Sequence, residues 1–399
     1  MKLTKLTCYA RYAALALAAA LFVTGCGEQP FGIFAALERE VEADESFFVG
    51  ARLRGMARVP TGNGDYYIVA SGRPKWRPVD SPGAGSWGNA PRPSGYRSSG
   101  DWMISVVTVE TGGTDEEVYG LFRNQSQSRY AVVEWDGATG RWGDEVAGLS
   151  SFDSARRLSR LFSANGALFV SVSTSRDGGP YHVWHLDRDT DDTTRVTDSS
   201  SEFPFSDATT HDGTTYWLVA REAVYRGVGV GPDAIENVTA DEPGIFAPGL
   251  DNDPPHDNRG IFFSDHDGGF LYLASDERIY RSGDDGNTWT SVAISNHRSG
   301  DRFTRFAEYN GFIYVGADRP GGGTNGGVYK LNTADDLEDQ TFRRETGMPD
   351  GSMIYRSHLA EYFVDETDDR IFALMYSRAQ HNEPGLWRRD GVDEDWKAE

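Results

Sequence analysis

The sequence predicts an all-β protein, a seven-bladed β-propeller preceded by a short N-terminal helix. Three observations support this fold class. From residue 47 onward the chain is rich in Gly, Asp, Thr and aromatic residues, with short runs of alternating polarity that are typical of strands. A pattern in this region recurs about every 51 residues. Each copy has room for four strands, the number in one propeller blade. A six-bladed ring with one misread copy, or an irregular pair of β-sandwiches, are the alternatives.

The first half of each copy is a turn that contains glycine, followed three residues later by an aromatic residue in an apolar strand. Asn-Gly and Asp-Gly turns favour hairpins because glycine accepts positive φ. Two weaker copies, around Tyr119 and Phe372, lack the glycine. The five clear pairs are Gly64 and Tyr67, Gly166 and Phe169, Gly213 and Tyr216, Gly269 and Tyr272, and Gly311 and Tyr314.

The second half of each copy is a third apolar strand that carries an aromatic residue, then a turn that is often followed by a tryptophan. One copy therefore supplies two hairpins, and a closed ring of such units leaves no long sheet edge exposed. The third-strand aromatics are Trp76, Trp135, Trp184, Tyr225, Tyr280, Tyr329 and Trp387, and the later tryptophans are Trp87, Trp142, Trp289 and Trp396.

Residues 1–25 have the pattern of a signal peptide. A basic start with Lys2, Lys5 and Arg11 precedes an apolar run over 12–23 that is too short to span a bilayer as a helix. The run ends in Val23-Thr24-Gly25-Cys26, which resembles the lipobox of bacterial lipoproteins. The resemblance implies that Cys26 becomes the acylated first residue of the mature protein. It also implies a membrane-anchored protein of the cell envelope, at the outer membrane or cell surface.

Residues 26–46 are predicted to hold the anchor, a tether and the short helix, and residues 47–399 the propeller. Ile33, Leu37 and Val41 repeat at helical spacing. Cys8 and Cys26 are the two cysteines of the chain, so the mature domain has no disulfide and no thiol chemistry. The formal charge of −22 argues against nucleic acid as a partner. We expect a monomer.

Residues 282–289 read Ser-Gly-Asp-Asp-Gly-Asn-Thr-Trp and match the Asp box, S-x-D-x-G-x-T-W, at every defined position. This motif is similar to that of the sialidase-like BNR-repeat propellers. The resemblance implies a structural role for Ser282, Asp284, Gly286, Thr288 and Trp289. The Asp284 carboxylate would accept backbone N–H groups across the turn, and Gly286 would permit positive φ.

Sialidases of that family also carry a Phe/Tyr-Arg-Ile-Pro motif, which supplies one of three arginines that bind the substrate carboxylate. Here Arg52-Leu53-Arg54 stands at that place without the Ile-Pro. We therefore assign no catalytic residue, and a diverged sialidase-like glycoside hydrolase is the alternative function. We assign no cofactor and no metal, because the oxygen-rich stretch 251–257 lacks the glycine and distal glutamate of an EF-hand loop.

A recurring set of arginines stands in the predicted first strands, which line the channel of a propeller. Six residues before the turn glycine lie Arg58, Arg160 and Arg305, and ten residues before it lie Arg54, Arg156 and Arg259. These positions share one face of the strand. One interpretation is an anion-binding patch at a channel mouth. The other is that the arginines pair with Asp or Glu between blades and stabilise packing.

The function predicted from the sequence is that of a non-catalytic binding or scaffold protein for a glycan or protein partner, anchored outside the cytoplasm. The longest connections, around 228–257, 317–327 and 375–385, are the predicted binding loops because function concentrates in loops. BNR-type propellers also help to assemble membrane complexes, and an assembly factor is a further alternative.

Overall fold

The computed structural model describes residues 53–399 with gaps. The gaps are 82–85, 97–101, 111–115, 125–128, 148–156, 165, 174–179, 189, 191, 197–200, 202–204, 212–213, 221–222, 230–234, 240–258, 276, 298–300, 319–326, 346–356 and 378–384. Cys26, the helix predicted over 33–45 and most of the three predicted binding loops lie outside the described residues. Among the described residues, no helix has the length and apolar character needed to cross a membrane.

The described strands form seven sheets, each built on four antiparallel strands, so the predicted seven-bladed propeller is confirmed. Blade one consists of β1 (Met56–Thr61), β2 (Gly64–Val69), β3 (Lys75–Pro78) and β4 (Gly88–Asn89). Blade two consists of β5 (Trp102–Glu110), β6 (Glu116–Asn124), β7 (Arg129–Asp136) and β8 (Arg141–Ala147). Blade three consists of β9 (Arg157–Ala164), β10 (Ala167–Ser173), β11 (Tyr181–Leu186) and β12 (Thr193–Arg195).

Blade four consists of β13 (Asp207–His211), β14 (Thr215–Val219), β15 (Val224–Val228) and β16 (Glu236–Asn237). Blade five consists of β17 (Ile261–Ser264), β18 (Phe270–Ser275), β19 (Arg278–Ser282) and β20 (Thr290–Ser291), with a short 3-10 turn at His266–Gly268. Blade six consists of β22 (Arg302–Tyr309), β23 (Phe312–Asp318), β24 (Gly327–Asn332) and β25 (Thr341–Arg344), and β21 (Ala293–Ile294) pairs with β25 in parallel. Blade seven consists of β26 (Ser357–Asp365), β27 (Arg370–Ser377), β28 (Leu386–Asp390) and β29 (Lys397–Ala398).

The repeat found in the sequence places its aromatic residues as predicted. The first aromatic of every copy lies in the second strand of its blade and is at most 3% exposed. The second aromatic lies in the third strand in all seven copies. These rings fill the wedges between neighbouring blades: Tyr67 of blade one, for example, packs with Phe372 of blade seven at 4.9 Å between ring centroids.

The ring has two different mouths. Because neighbouring strands of a blade are antiparallel, the turns between strands one and two and between strands three and four lie at one end of the channel. We name this end the turn mouth. The connections between strands two and three and those between blades lie at the other end, which we name the loop mouth.

Side chains join the last blade to the first. The innermost strands contact one another in order around the ring, and β26 contacts β1. All four described strands of blade seven come from residues 357–398. The contact between blades one and seven is named here the seam.

A buried ion pair lies in the outer part of the seam. Arg77 of blade one and the Glu399 side chain are 0% and 1% exposed, and Arg77 Nη2 lies 3.2 Å from Glu399 Oε1. The same carboxylate accepts hydrogen bonds from Trp87 Nε1 at 3.2 Å and from Arg388 Nη1 at 2.6 Å. Burial lowers the pKa of Arg77, and Glu399 opposes that shift. A buried charge of this kind is tolerated only when it is paired.

We expect Glu399→Gln to lower the free energy of unfolding by about 3 kcal/mol, because it leaves the buried Arg77 without its counter-charge, whereas Arg388 keeps its ion pair with Asp390. Urea denaturation measures the change. The matched control is Glu394→Gln, whose exposed side chain pairs with exposed Lys397 and whose loss is expected to matter by less than about 0.5 kcal/mol. Equal effects of the two substitutions would contradict a buried ion pair in the seam.

Candidate functional site in the central channel

The Asp box forms a closed hydrogen-bonded turn on blade five, at the turn mouth and away from the channel. Asp284 Oδ1 accepts the Thr288 backbone N–H at 2.8 Å, and its Oδ2 accepts the Thr288 hydroxyl at 2.6 Å. Ser282 Oγ accepts the Gly286 N–H at 2.9 Å and donates to Asp284. Hydrogen bonds from Thr288 and Ser282 lower the pKa of the exposed Asp284.

The turn needs two residues with positive φ, Asp285 at 61° and Gly286 at 87°. It also contacts blade four, because the buried Trp217 donates from Nε1 to the Asp285 carbonyl at 3.1 Å. The half-buried Trp289 packs against the apolar cluster beneath. These contacts hold blade five to its neighbour, and they bring no group of the Asp box to the channel.

The six arginines predicted from the repeat separate into two groups. Arg54 and Arg259 stand just before β1 and β17, at the loop mouth, and Arg156 lies outside the described residues. Arg54 is exposed, whereas Arg259 is buried and donates from Nη1 to Ser275 Oγ at 3.3 Å. The other three, Arg58, Arg160 and Arg305, lie within the first strands, and each forms ion pairs.

Arg305 reaches past blade five to blade four. Its guanidinium Nη1 lies 2.6 Å from Asp207 Oδ1, and its Nη2 donates to the Ser206 carbonyl. The side chain is 2% exposed. Burial and the charge of Arg160 lower its pKa, and Asp207 and Glu361 oppose that shift. Gly260 of blade five makes room here, because a Cβ at this position would lie 2.2 Å from the Thr304 carbonyl oxygen.

A second ion pair crosses the ring beside the first. Arg160 of blade three places Nη2 3.0 Å from Oε2 of Glu361 in blade seven, two blades that are not neighbours. Arg160, Arg305, Asp207 and Glu361 thus form a group with two positive and two negative charges. We name these four residues the channel quartet. It joins blades three, four, six and seven through side chains.

Arg58 belongs to the seam between blades one and seven. Its Nη1 lies 3.0 Å from Asp365 and 2.6 Å from Asp368, and its Nη2 lies 2.7 Å from Asp65. Burial lowers its pKa, but the hydrogen bonds that Arg58 donates to Asp65 and Asp365, together with the charges of both carboxylates, outweigh burial and hold the pKa above its usual value. Tyr67 also donates to Asp365, and burial together with this bond raises the pKa of the Tyr67 hydroxyl.

The structure therefore brings three of the predicted arginines together with carboxylates of the chain itself. An anion-binding role for the arginine set stays a prediction, and the contacts of Arg58, Arg160 and Arg305 agree with the packing interpretation. The sequence analysis missed Asp207, Glu361 and Asp365. One signal was present, because Asp207 stands six residues before Gly213, the repeat position that Arg58, Arg160 and Arg305 occupy in their copies.

A cavity of about 470 Å³ lies in the channel between the quartet and the turn mouth. Two guanidinium groups, of Arg58 and Arg160, line it, together with five carboxylates. Tyr362 also lines the cavity, and its buried hydroxyl has no hydrogen-bond partner among the described residues. The cavity therefore presents an excess of acceptors and of negative charge. The five carboxylates belong to Glu116, Asp207, Glu361, Asp365 and Glu366.

Within the described ranges, no group of three or more His, Cys, Asp or Glu side chains is arranged to hold a metal ion. The stretch 251–257 considered in the sequence analysis lies outside those ranges.

Comparison with known proteins supports the fold and does not indicate an activity. No family model matches the chain, and no curated protein matches it. Among solved structures, puromycin hydrolase is similar with a TM-score of 0.53 and 13% identity, over 90% of this chain and 54% of that one. This chain thus spans about half the length of that hydrolase. Likeness at this identity shows a shared propeller fold alone.

Two further solved structures show weaker likeness. YCF48 bound to D1 peptide has a TM-score of 0.49 and 12% identity, over 87% of this chain and 94% of that one. YCF48 from Cyanidioschyzon merolae has a TM-score of 0.45 and 14% identity, over 75% of this chain and 85% of that one.

We expect Arg305→Met to lower the free energy of unfolding by about 3 kcal/mol, because it leaves Asp207 without its buried counter-charge. The double variant Arg305→Met with Asp207→Leu is expected to recover at least half of this loss, because two apolar side chains replace both charges. Urea unfolding of the four proteins in this cycle measures the coupling. A double variant that loses the sum of both single effects would contradict a direct pair.

Proposed function

We propose that this protein is a lipid-anchored, extracytoplasmic binding or scaffold protein without catalytic activity, and that it takes its partner at the turn mouth of the propeller. The observation that carries the proposal is the channel cavity with its five carboxylates and two guanidinium groups. Clefts lined by one dominant sign of charge raise the local concentration of oppositely charged ligands. A cavity of about 470 Å³ is large enough for one or two long side chains.

The chemistry of the walls favours a partner that brings positive charge and hydrogen-bond donors. Both lining arginines already contact carboxylates of the chain, so acceptors are left in excess. Glu366 is exposed at the mouth of the cavity. A basic segment of a protein partner fits this chemistry best, ahead of a neutral glycan. An amino-bearing glycan presents the same kind of group.

The hydrolase alternative needs three arginines that converge on a substrate carboxylate. In the described part of the chain, Arg58, Arg160 and Arg305 each contact a carboxylate of the protein itself. Their contacts therefore support binding rather than glycoside hydrolysis. A scaffold that holds a basic segment is also compatible with an assembly role, the third function predicted from the resemblance.

Anchoring at Cys26 is supported by the lipobox and the basic and apolar segments before it. Several acyl chains on this residue would hold the protein at the membrane stably, as one chain alone would not. A receptor fixed near a lipid surface gains effective concentration for partners that are confined to the same surface.

We expect short lysine- and arginine-containing peptides to bind the protein, and the double variant Glu116→Gln with Glu366→Gln to weaken binding about fivefold, because two exposed charges at the mouth are lost. Fluorescence anisotropy at low and high salt measures the affinity. The control Asp144→Asn with Glu394→Gln removes the same charge from exposed sites outside the cavity. If both double variants weakened peptide binding equally, or if a neutral oligosaccharide bound more tightly than the peptides, the proposal would be wrong.

We expect Cys26→Ser to move the protein from the membrane fraction to the soluble fraction after processing, because no acyl chain can be attached. Metabolic labelling with a radioactive fatty acid and membrane fractionation measure this change. Cys8→Ser serves as the control and should leave labelling intact. Labelling that persists in Cys26→Ser would show that the anchor is elsewhere.

A further inference from the structure

We propose that the loop mouth beside blade one faces the lipid bilayer and binds anionic lipid headgroups, so that the cavity at the turn mouth points away from the membrane. This inference goes beyond binding at the channel, and it rests on the proposed anchoring at Cys26. It assigns an interaction surface to Arg54, Arg73, Lys75, Arg92 and Trp102, which we name the basic mouth.

The charge of this chain is unevenly distributed along its length. Residues 51–100 contain eight Lys and Arg and two Asp, a net charge of +6. The remainder contains 31 basic and 59 acidic residues, a net charge of −28. A protein this acidic is repelled by an anionic membrane unless its basic part lies nearest the lipid.

The fold gathers several basic residues of this segment at one place, whereas Arg58 and Arg77 lie in the seam and pair with carboxylates. Arg73 lies in the connection from β2 to β3, Lys75 begins β3, and Arg92 lies in the connection from blade one to blade two. All three positions belong to the loop mouth. Burial lowers the pKa of Lys75, and the nearby positive charges of Arg73 and Arg92 lower it further. In the described part of the chain, no carboxylate forms an ion pair with Arg73.

An exposed tryptophan stands beside these cations. Trp102 begins β5 and is 52% exposed, and the described residues include one other large apolar side chain that is exposed, Val228 of blade four. Met103, the residue after Trp102, donates its backbone N–H to the Gly72 carbonyl at 2.7 Å. This bond places Trp102 next to Arg73. Tryptophan prefers the headgroup region of membranes, where the ring is half buried and the N–H stays hydrated.

The described part of the propeller begins at the same mouth. Arg54 donates its backbone N–H to the Ala70 carbonyl at 2.9 Å, just after β2 ends. The exposed Arg54 side chain adds a fourth positive charge to the basic mouth. The first described residues of the propeller therefore lie on the side where the cations and the tryptophan lie.

The opposite mouth carries the opposite charge. A bilayer with anionic lipids repels carboxylates and attracts each nearby Lys or Arg, which raises membrane affinity about fivefold per residue. The two mouths would thus favour one orientation over the other. Carboxylates near the turn mouth belong to Asp65, Glu116, Asp265, Glu308, Glu366 and Asp368.

The test uses the acylated full-length protein in vesicles of phosphatidylcholine and phosphatidylglycerol. Single cysteines are placed at the two ends of one hairpin in blade one: Ser71→Cys at the loop mouth and Asn63→Cys at the turn mouth. Each is labelled with a fluorophore. Cys8 is expected to leave with the signal peptide and Cys26 to be acylated, so the new thiol is the reactive one. Spin-labelled lipid then quenches whichever label lies near the bilayer.

We expect the label at residue 71 to be quenched at least threefold more than the label at residue 63. The difference should shrink in high salt and without phosphatidylglycerol. Arg73→Glu with Lys75→Glu, or Trp102→Ser, should bring the two labels toward equal quenching. Arg195→Glu with Arg343→Glu makes the same charge change on exposed outer strands of blades three and six and should leave the difference unchanged.

Equal quenching, or stronger quenching at residue 63, in protein that floats with the vesicles would overturn the inference. The basic mouth would then face away from lipid and be open to a soluble anion such as an acidic glycan. Protein that does not float at all would contradict the anchoring itself, and this inference with it. Flotation therefore distinguishes the two failures.

Discussion

The constraint on which the rest of this structure depends is closure of the ring by side chains. Each blade is built from consecutive strands, so its backbone ladders remain within the blade and cannot lock the last blade to the first. Aromatic rings from the second strands fill the wedges between blades, and apolar burial supplies most of the adhesion. At the seam, Arg77 and Glu399 add a buried ion pair, which is tolerated only because both charges are matched.

The same constraint determines what the channel can bind. The quartet joins blades that are not neighbours, and it leaves its four charges balanced. Above it, carboxylates outnumber guanidinium groups, so the cavity at the turn mouth is acidic. At the loop mouth, blade one carries basic residues and an exposed tryptophan. A ring with an acidic turn mouth and with cations beside blade one at the loop mouth has a preferred orientation in a charged environment, and an anchored protein meets such an environment at the membrane.

Local patterns in the sequence were sufficient to predict the fold. They could not predict which side chains pair across the ring. Turn glycines and strand aromatics such as Tyr67 and Trp76 indicate hairpins, because a hairpin is determined by residues that are close together in the sequence. The partners Arg305 and Asp207 are far apart in the chain, and only their shared position in the repeat connects them. The basic mouth was missed because net charge was summed over the whole chain, and the exposure of Trp102 depends on blades one and two together. The lipobox and the helix over 33–45 stay predictions.

Native-state hydrogen exchange tests closure of the ring by side chains most directly. Amides of β1 and β2 in blade one and of β26 and β27 in blade seven should become exchangeable at one shared opening free energy, because the seam opens as a unit. That free energy should lie below the values for β10 and β18, which belong to blades within the ring. If blade seven exchanged independently of blade one, or if the seam strands were the most protected of all, the account of closure would be wrong.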